Sequence, residues 1–392
     1  MNLGGMALQF ELSAEEQRFR EEARDWLSTH VPKERRPPRG PEMRAFDLAW
    51  QKAKFEGGFG AINWPKAYGG RELSPAEQLI WYEELSRAKG PSVGCLSIAL
   101  NHAGPTVMAL GTPEQKAFHL PKILGGEVVW CQGFSEPGAG SDLAGLRLKG
   151  EIDGDHLVIN GQKIWTSHAQ YADFQETLVR TDTNSGRHKG ITWVIIDMKT
   201  PGITVRPIRT IAGDEHFNEV FYDNVRVPLS NVVGGLNEGW KVAMTTLTNE
   251  RAGTTANHGI EVGELVERLI DIARERAGPA GLDSALVAKL ARLRAEAAAM
   301  RSLSYAVISR SNRGLPLGVE TTLPFLFCGE LQQRIRAAAL DILGGEALEF
   351  NGPWDSWVRG FLGDRMYVIA GGSSEIRRNI IAERVLGLPK GN

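Results

Sequence analysis

The hydrophobic period of this chain changes twice, and those two changes limit what it folds into more than any other feature. Up to about residue 125, apolar residues recur at helical spacing. Ser13-Ala14-Glu15-Glu16 is a capping box, in which a hydroxyl and a carboxylate occupy the first free amides of a helix, and Phe19, Ala23, Trp26 and Leu27 follow along one face. Ser74-Pro75-Ala76-Glu77 repeats the device with proline at the first helical position, ahead of Leu79, Ile80, Tyr82 and Leu85, and Thr112-Pro113-Glu114-Gln115 repeats it again. Proline-rich residues 31–41 and glycine- and proline-rich residues 57–70 read as loops. From Glu127 the period is two: apolar positions recur between residues 146 and 152, at Leu157, Val158 and Ile159, and at Ile164 and Trp165, with turns at Asp153-Gly154 and Asn160-Gly161. Residues 192–198 and 219–227 continue that pattern, and after Trp240 strands disappear. Residues 284–303 and 329–343, rich in Ala, Leu and Arg, carry the stripe of bundle helices. The predicted class is α+β in three parts: an N-terminal α-helical domain over 7–125, a middle antiparallel, barrel-like β domain over 126–235, and a C-terminal α-helical bundle domain over 236–392.

Length and charge narrow the function. A chain of 392 residues suits two or three packed units rather than one core. Its 45 basic and 47 acidic residues leave a formal charge of −2, which gives no bulk attraction to nucleic acid. Cys95, Cys131 and Cys328 are odd in number and lack metal-ligand spacing, so they read as reduced, buried or idle thiols. No apolar run approaches the ~18–20 residues of a membrane span, and the first residues lack a signal-peptide layout. The expectation is a soluble, cytoplasmic protein acting on a small molecule, with residues 1–5 a leader and Met6 an alternative start.

The densest chemical signal is the run from Trp130 through Cys131, Gln132, Gly133, Phe134, Ser135, Glu136, Pro137, Gly138, Ala139, Gly140 and Ser141 to Asp142. Small residues around one Asp expose amides and hydroxyls to a phosphate or a polar ring edge. Gly138-Ala139-Gly140 falls short of a dinucleotide fingerprint, and alone it fits a tight loop equally well. A second run, Lys163-Ile164-Trp165-Thr166-Ser167, follows. With Gly111-Thr112-Pro113-Glu114-Gln115-Lys116 upstream and the stretch from Gly372-Ser373-Ser374-Glu375 to Arg384 near the end, the chain resembles the acyl-CoA dehydrogenase family from about Phe10 to Pro389. In that family a C-x-x-[TS]-E-P-x-A-G-S-D segment lines the flavin, and a K-x-W-[IT]-[TS] strand lays its Trp beside the isoalloxazine ring.

The resemblance implies FAD-dependent α,β-dehydrogenation of an acyl-CoA to a trans-2-enoyl-CoA, which needs a base for the α-proton and an acceptor for the β-hydride. It implies a flavin between the β domain and the bundle, completed by a second subunit, in a homotetramer or dimer, with a mixed oligomer as the alternative. Electrons would leave to an electron-transfer flavoprotein; neither nucleic acid nor membrane is an expected partner. Family members commonly carry the base as a Glu just before the C-terminal G-[TS]-S motif, where this chain has Gly371. Others place it on a bundle helix in an L-x-x-E-R run, matched here by Leu247-Thr248-Asn249-Glu250-Arg251. Glu250 is therefore the expected base, although composition alone would make it a solvated helix Glu; Glu375 and Glu383 rank below it. Gly371 is expected to serve through its main-chain N–H, which with a ribityl hydroxyl would polarise the thioester oxygen.

The same resemblance assigns Gln132, Phe134, Ser135, Gly140, Ser141, Trp165, Thr166 and Ser167 to the flavin, with Ser141 also near the CoA pyrophosphate and Arg251 opposite substrate or enolate charge. Gly372, Ser373 and Glu375 match positions at the adenylate half, and Asp341, Gly344 and Gly345 match a cross-subunit FAD segment whose usual Gln is here Asp. The R-x-x-F-G run of relatives is replaced by Arg276-Ala277-Gly278-Pro279, which leaves Arg276 as a candidate phosphate ligand. Arg187-His188-Lys189 is a CoA guide or a solvated loop, and His102 an acyl-pocket residue or a buried core histidine. No metal is expected. Alternatives within the fold are an oxidase, a desulfinase or an enzyme tailoring a carrier-protein thioester; outside it stands a catalytically silent subunit that completes a partner's flavin site.

Overall fold

A computed structural model describes residues 12–312 and 322–390, apart from the side chains of 250–258 and 307–312. Helices α1 (Ala14–His30), α2 (Gly40–Glu56), α3 (Pro75–Arg87), α4 (Gly104–Leu110) and α5 (Pro113–Leu124) come first. Strands follow: β1 (Trp130–Gly133), β2 (Lys149–Asp153), β3 (His156–Lys163), β4 (Phe174–Arg180), β5 (Ile191–Asp197), β6 (Ile203–Ile208), β7 (Phe217–Pro228) and β8 (Val232–Val233). Helices α6 (Gly239–Ala277), α7 (Ser284–Asn312), α8 (Thr322–Leu343), α9 (Asp355–Gly363) and α10 (Ser374–Ile380) close the chain. The predicted α+β class, helical at both ends with a β middle, is what forms. Among the described residues no helix is long and apolar enough to cross a membrane.

The chain divides into two units, one made of residues 32–72 and 91–250, the other of 1–31, 73–90 and 251–392. The N-terminal helices are shared between them: α2, α4 and α5 belong to the first unit, α1 and α3 to the second.

The first unit is built on an eight-stranded sheet in the order β6-β7-β3-β2-β4-β5-β8, with β1 added to β4. Most pairs are antiparallel, but β1 and β2 both run parallel to β4, with Trp130 opposite Phe174 and Lys149 opposite Arg180. One correction concerns Asn160-Gly161. It is not a hairpin turn; β3 continues through it, and the register against β7 shifts between Ile159 and Gly161 as a bulge. Gly161 takes φ +136° there, and a Cβ would meet Leu148 at 2.9 Å. A helix-facing core of Trp64, Val107, Ile123, Trp130 and Trp193 joins α4 and α5 to the sheet, and Leu157, Ile159, Val194, Val220 and Val225 form a second cluster. Gln115 ties α5 to the strands: its Oε1 closes the capping box at Thr112, while its Nε2 donates to the Ser230 and Val232 carbonyls at 2.8 and 3.0 Å.

In the second unit the capping boxes at Ser13 and Ser74 both form. Phe19, Ala23 and Leu27 of α1 are buried, and Arg20 and Arg24 reach Glu83 and Glu84 of α3 at 2.6 and 3.0 Å. Glu84 is held below the usual carboxylate range by Arg24, Arg87 and Arg20, which overcome the cost of its desolvation. Val266, Leu269, Leu293, Met300, Leu331 and Ile335 supply the bundle core.

Candidate functional site

In the sheet unit one buried cation locks the two motifs together. Lys163, at the end of β3, is 0% exposed, and its Nζ donates to the Phe134 carbonyl at 2.9 Å and to Glu136 Oε1 at 2.8 Å. Glu136 in turn accepts from the Arg147 and Leu148 amides at 2.6 and 2.8 Å. Desolvation lowers Lys163 to about 8, against the raising influence of Glu136. Reciprocal bonds between the main chains of Glu136 and Ala139 close the turn, at 2.9 and 3.0 Å. A Cβ on Gly138 or Gly140 would meet nothing within 4 Å, so the loop borders open space.

That arrangement presents Trp165. Its φ is +61°, a left-handed conformation that is strained for a bulky side chain, and its indole is 55% exposed. The conformation is over-determined by neighbours: Ile164 N donates to Ser135 O and Thr166 N to Asn218 O, both at 3.0 Å, and Asn218 Nδ2 returns a bond to Thr166 O at 3.0 Å. Phe217 meets the indole edge-on at 5.8 Å. Thr166 Oγ1 is buried with no hydrogen-bond partner, and the hydroxyls of Ser135, Ser141 and Ser167 take none among the described residues. An exposed indole, an orphaned hydroxyl and a glycine loop facing open space fit a planar, phosphate-bearing cofactor such as FAD.

Gln132 sits behind this face. Its Nε2 donates to Glu176 Oε1 at 2.7 Å and contacts His102 Nδ1 at 3.0 Å, so His102 is a hydrogen-bonded, buried residue. Phe134 has its ring in the core and offers only its main chain to the motif. Arg187 of the basic triplet pairs with Asp142, His188 packs on Trp240 with ring centroids 4.6 Å apart, and the Lys189 carbonyl accepts from Arg180.

The remaining candidates lie in the bundle unit. Gly371 is exposed with φ +66°, and its N–H has no acceptor among the described residues. Its peptide partner, the Ala370 carbonyl, accepts from Arg377 Nη2 at 2.6 Å. Gly372 follows at φ +106°, and Ser373 caps α10 by accepting from Ile376 N at 3.3 Å. Glu375 is exposed and held below the usual range by backbone bonds and Ser373. Asp341 pairs with Lys289 at 2.6 Å; Arg276 pairs with Glu346 at 2.9 Å and donates to Leu343 O. Gly344, at φ +58°, and Gly345 would each accept a Cβ with nothing within 4 Å. Glu250 and Arg251 lie within α6, and their side chains fall outside the described residues. Glu383 lies in the π-helical turn Ile381–Val385.

Residues 132–141 and 163–167 are thus gathered on one unit, and 341–346 with 371–375 on the other. Glu136 and Lys163 were not singled out in sequence, although both stand inside the motifs. Arg377 stands inside the run from Gly372 to Arg384 without being singled out, and Glu176 lies in no motif; what matters about both is contact with residues distant in the chain or with main-chain atoms.

Family models described as acyl-CoA dehydrogenase N-terminal, middle and C-terminal domains match residues 13–127, 131–225 and 237–386. The acyl-CoA dehydrogenase IpdE1 of Mycobacterium tuberculosis is 38% identical over 385 residues, covering 95% of this chain and 97% of that protein. Among solved structures, the Tcur3481-Tcur3483 steroid ACAD superposes with a TM-score of 0.85 at 30% identity, covering 98% of this chain and all of that one. The ChsE4-ChsE5 complex from Mycobacterium tuberculosis follows with a TM-score of 0.83 at 30% identity and the same coverage.

Proposed function

The chain belongs to the acyl-CoA dehydrogenase family, and on that premise we propose that it converts a steroid-derived acyl-CoA to the trans-2-enoyl-CoA with FAD seated against Trp165. The observation that carries the reading is the buried Lys163–Glu136 pair, which fixes a glycine loop beside an exposed, strained Trp165. When bound, FAD supplies the acceptor for the β-hydride. Glu250 takes the α-proton, the Gly371 N–H holds the thioester oxygen, and Arg251 faces the charge that develops there. Gln132, Ser135, Gly140, Ser141, Thr166, Ser167 and the main chain of Phe134 hold the flavin, and Ser141 also meets the CoA phosphates. Gly372, Ser373 and Glu375 hold the adenylate end, Arg276 meets a phosphate, and Asp341, Gly344 and Gly345 contact the FAD of a second subunit. The steroid class is supported by the 30% identical steroid ACAD, and an electron-transfer flavoprotein is the acceptor that family membership implies.

A second reading is a chain that completes a partner's flavin site in a mixed oligomer. It is supported by the ChsE4-ChsE5 complex among the similar structures and by Gly371 standing where relatives commonly carry their base.

The test is the visible spectrum of purified wild type and Glu250→Gln, titrated anaerobically with straight-chain, branched and steroid-derived acyl-CoAs. The expected result is a yellow wild type that bleaches with the steroid-derived thioester, and a variant that is yellow but does not bleach. A variant that bleaches equally well removes Glu250 as the base. A wild type that purifies colourless and gains flavin only with a second chain supports the mixed oligomer instead.

A further inference from the structure

The Gly371 N–H is half of a peptide unit whose other half, the Ala370 carbonyl, is not free to move. Arg377 is 2% exposed, and its guanidinium donates to three main-chain oxygens: Ala370 O at 2.6 Å, Tyr367 O at 2.9 Å and Phe325 O at 3.3 Å. Phe325 belongs to α8, and its ring lies under the same guanidinium, 5.3 Å from centroid to Cζ. Arg377 therefore ties the strap that ends at Ala370 to a bundle helix and to the first turns of α10, on which it sits.

A peptide unit is planar, so its soft motion is rotation of the whole plane about the Cα–Cα axis. A charged donor 2.6 Å from the carbonyl oxygen stops that rotation and fixes the direction of the N–H on the other side. It acts electronically as well. A cation on the oxygen draws density through the amide and makes the N–H a stronger donor, in the manner of a polarised hydrogen-bond chain. The recipient N–H is exposed, has no acceptor among the described residues, and belongs to a glycine at φ +66°. A preorganised donor of this kind, fixed before charge develops, contributes most to stabilising an oxyanion.

We propose that Arg377 is a positioning residue for the reaction, holding and polarising the Ala370–Gly371 peptide so that its N–H binds the thioester oxygen as that oxygen gains negative charge. The inference rests on the reading of Gly371 as a main-chain donor. It assigns the control of that donor to a side chain six residues further on.

The experiment measures ligand acidity. Acetoacetyl-CoA is titrated onto the FAD-loaded protein, and the pH at which the bound ligand becomes its enolate is read from the enolate's ultraviolet absorbance for wild type, Arg377→Gln and Arg377→Lys. An oxyanion site lowers that midpoint below the value in water. In Arg377→Gln it is expected to rise by about one pH unit, a tenfold loss of enolate preference, and kcat to fall by about tenfold, less than the roughly 10²–10³ lost when an oxyanion donor is removed outright. KM and flavin content stay within twofold, and Arg377→Lys lies between wild type and Arg377→Gln. A residue that merely staples the loop would lower the melting temperature and leave the midpoint in place.

A flavin-loaded Arg377→Gln with the wild-type midpoint overturns the inference while leaving Gly371 as the donor. A wild type that leaves acetoacetyl-CoA as acidic as it is in water overturns the donor reading itself. If Arg377→Gln does not fold, Arg377→Lys is judged by the same criterion: a raised midpoint supports the inference and an unchanged one overturns it.

Discussion

The Lys163 ammonium lies 2.8 Å from Glu136 Oε1 with no exposure to solvent, and it spans the 27 residues between the two motifs that frame the candidate flavin face. Removing one partner of a buried ion pair leaves the other charge desolvated, which costs ~3–5 kcal/mol. Lys163→Met is therefore expected to lower urea stability by roughly that amount and to strip flavin from the protein. A variant that keeps wild-type flavin content after gel filtration would separate the pair from cofactor binding.

Trp165 is more than half exposed, so replacing it removes little core packing. Stacking of an aromatic side chain on a heteroaromatic ring is worth ~1–3 kcal/mol. Trp165→Ala is expected to weaken flavin binding by about 10- to 100-fold, measured by flavin fluorescence, with a melting temperature of the flavin-free protein no lower than that of wild type. Alanine keeps the Cβ that makes the left-handed φ of +61° unfavourable, so that strain is the same in both proteins and does not enter the comparison. An unchanged flavin affinity would mean that the indole does not meet the ring.

Acid lability is expected from His119, which packs edge-on against Trp130 and Phe174 at 5.1 and 5.0 Å and whose Nδ1 is buried without a hydrogen-bond partner among the described residues. Desolvation, assisted by the Lys122 cation, lowers it from 6.5 to about 4. The unfolded chain thus binds this proton first as pH falls. Its contribution is complete above pH 6.5 and is lost as pH falls toward 4. With 1.36 kcal/mol per pH unit, wild type should lose about 2 kcal/mol more between pH 7 and pH 5 than His119→Phe. Urea titrations at the two pH values measure the difference, and equal losses would exclude His119 as a source of acid lability.

Gly239 opens α6 where no side chain fits: a Cβ would lie 2.5 Å from the Thr192 carbonyl carbon and from the Trp193 nitrogen. Those are main-chain atoms of a paired strand and cannot rotate away. Gly239→Ala is expected to cost about 1–3 kcal/mol, read from the midpoint of chemical denaturation with an unchanged slope. A wild-type midpoint would show that β5 yields at this point.

What was legible in the sequence was local. The capping boxes at Ser13, Ser74 and Thr112 form because each rests on contacts three residues apart, and the change from helical to alternating period follows the backbone itself. Strand β4 was missed because Gln175, Glu176 and Thr177 face the interior, so no apolar alternation marks it. Tyr222 meets Gln175, and Gln132 with His102 meets Glu176, partners 44 to 74 residues distant that only the folded sheet supplies. Asn160-Gly161 was misread for a related reason. A turn and a bulge share that dipeptide, and the choice is made by Tyr222 on β7 opposite Gly161.

The candidate site was legible where a side chain acts, as at Trp165, whose motif stands in the sequence. It was not legible where a side chain acts on main chain. Lys163 and Arg377 both stand inside quoted runs, but their targets, Phe134 O and Ala370 O, leave no pattern, because every residue presents the same carbonyl.

A peptide N–H has no codon of its own. No substitution at position 371 other than proline can delete it, so mutation at that codon alters the freedom of the backbone and leaves the donor in place. Heritable variation in how that peptide is held enters instead at codon 377, whose guanidinium grips the carbonyls of 325, 367 and 370 together. Divergence among chains of this architecture in the strength of that donor is therefore to be sought six positions downstream of the glycine.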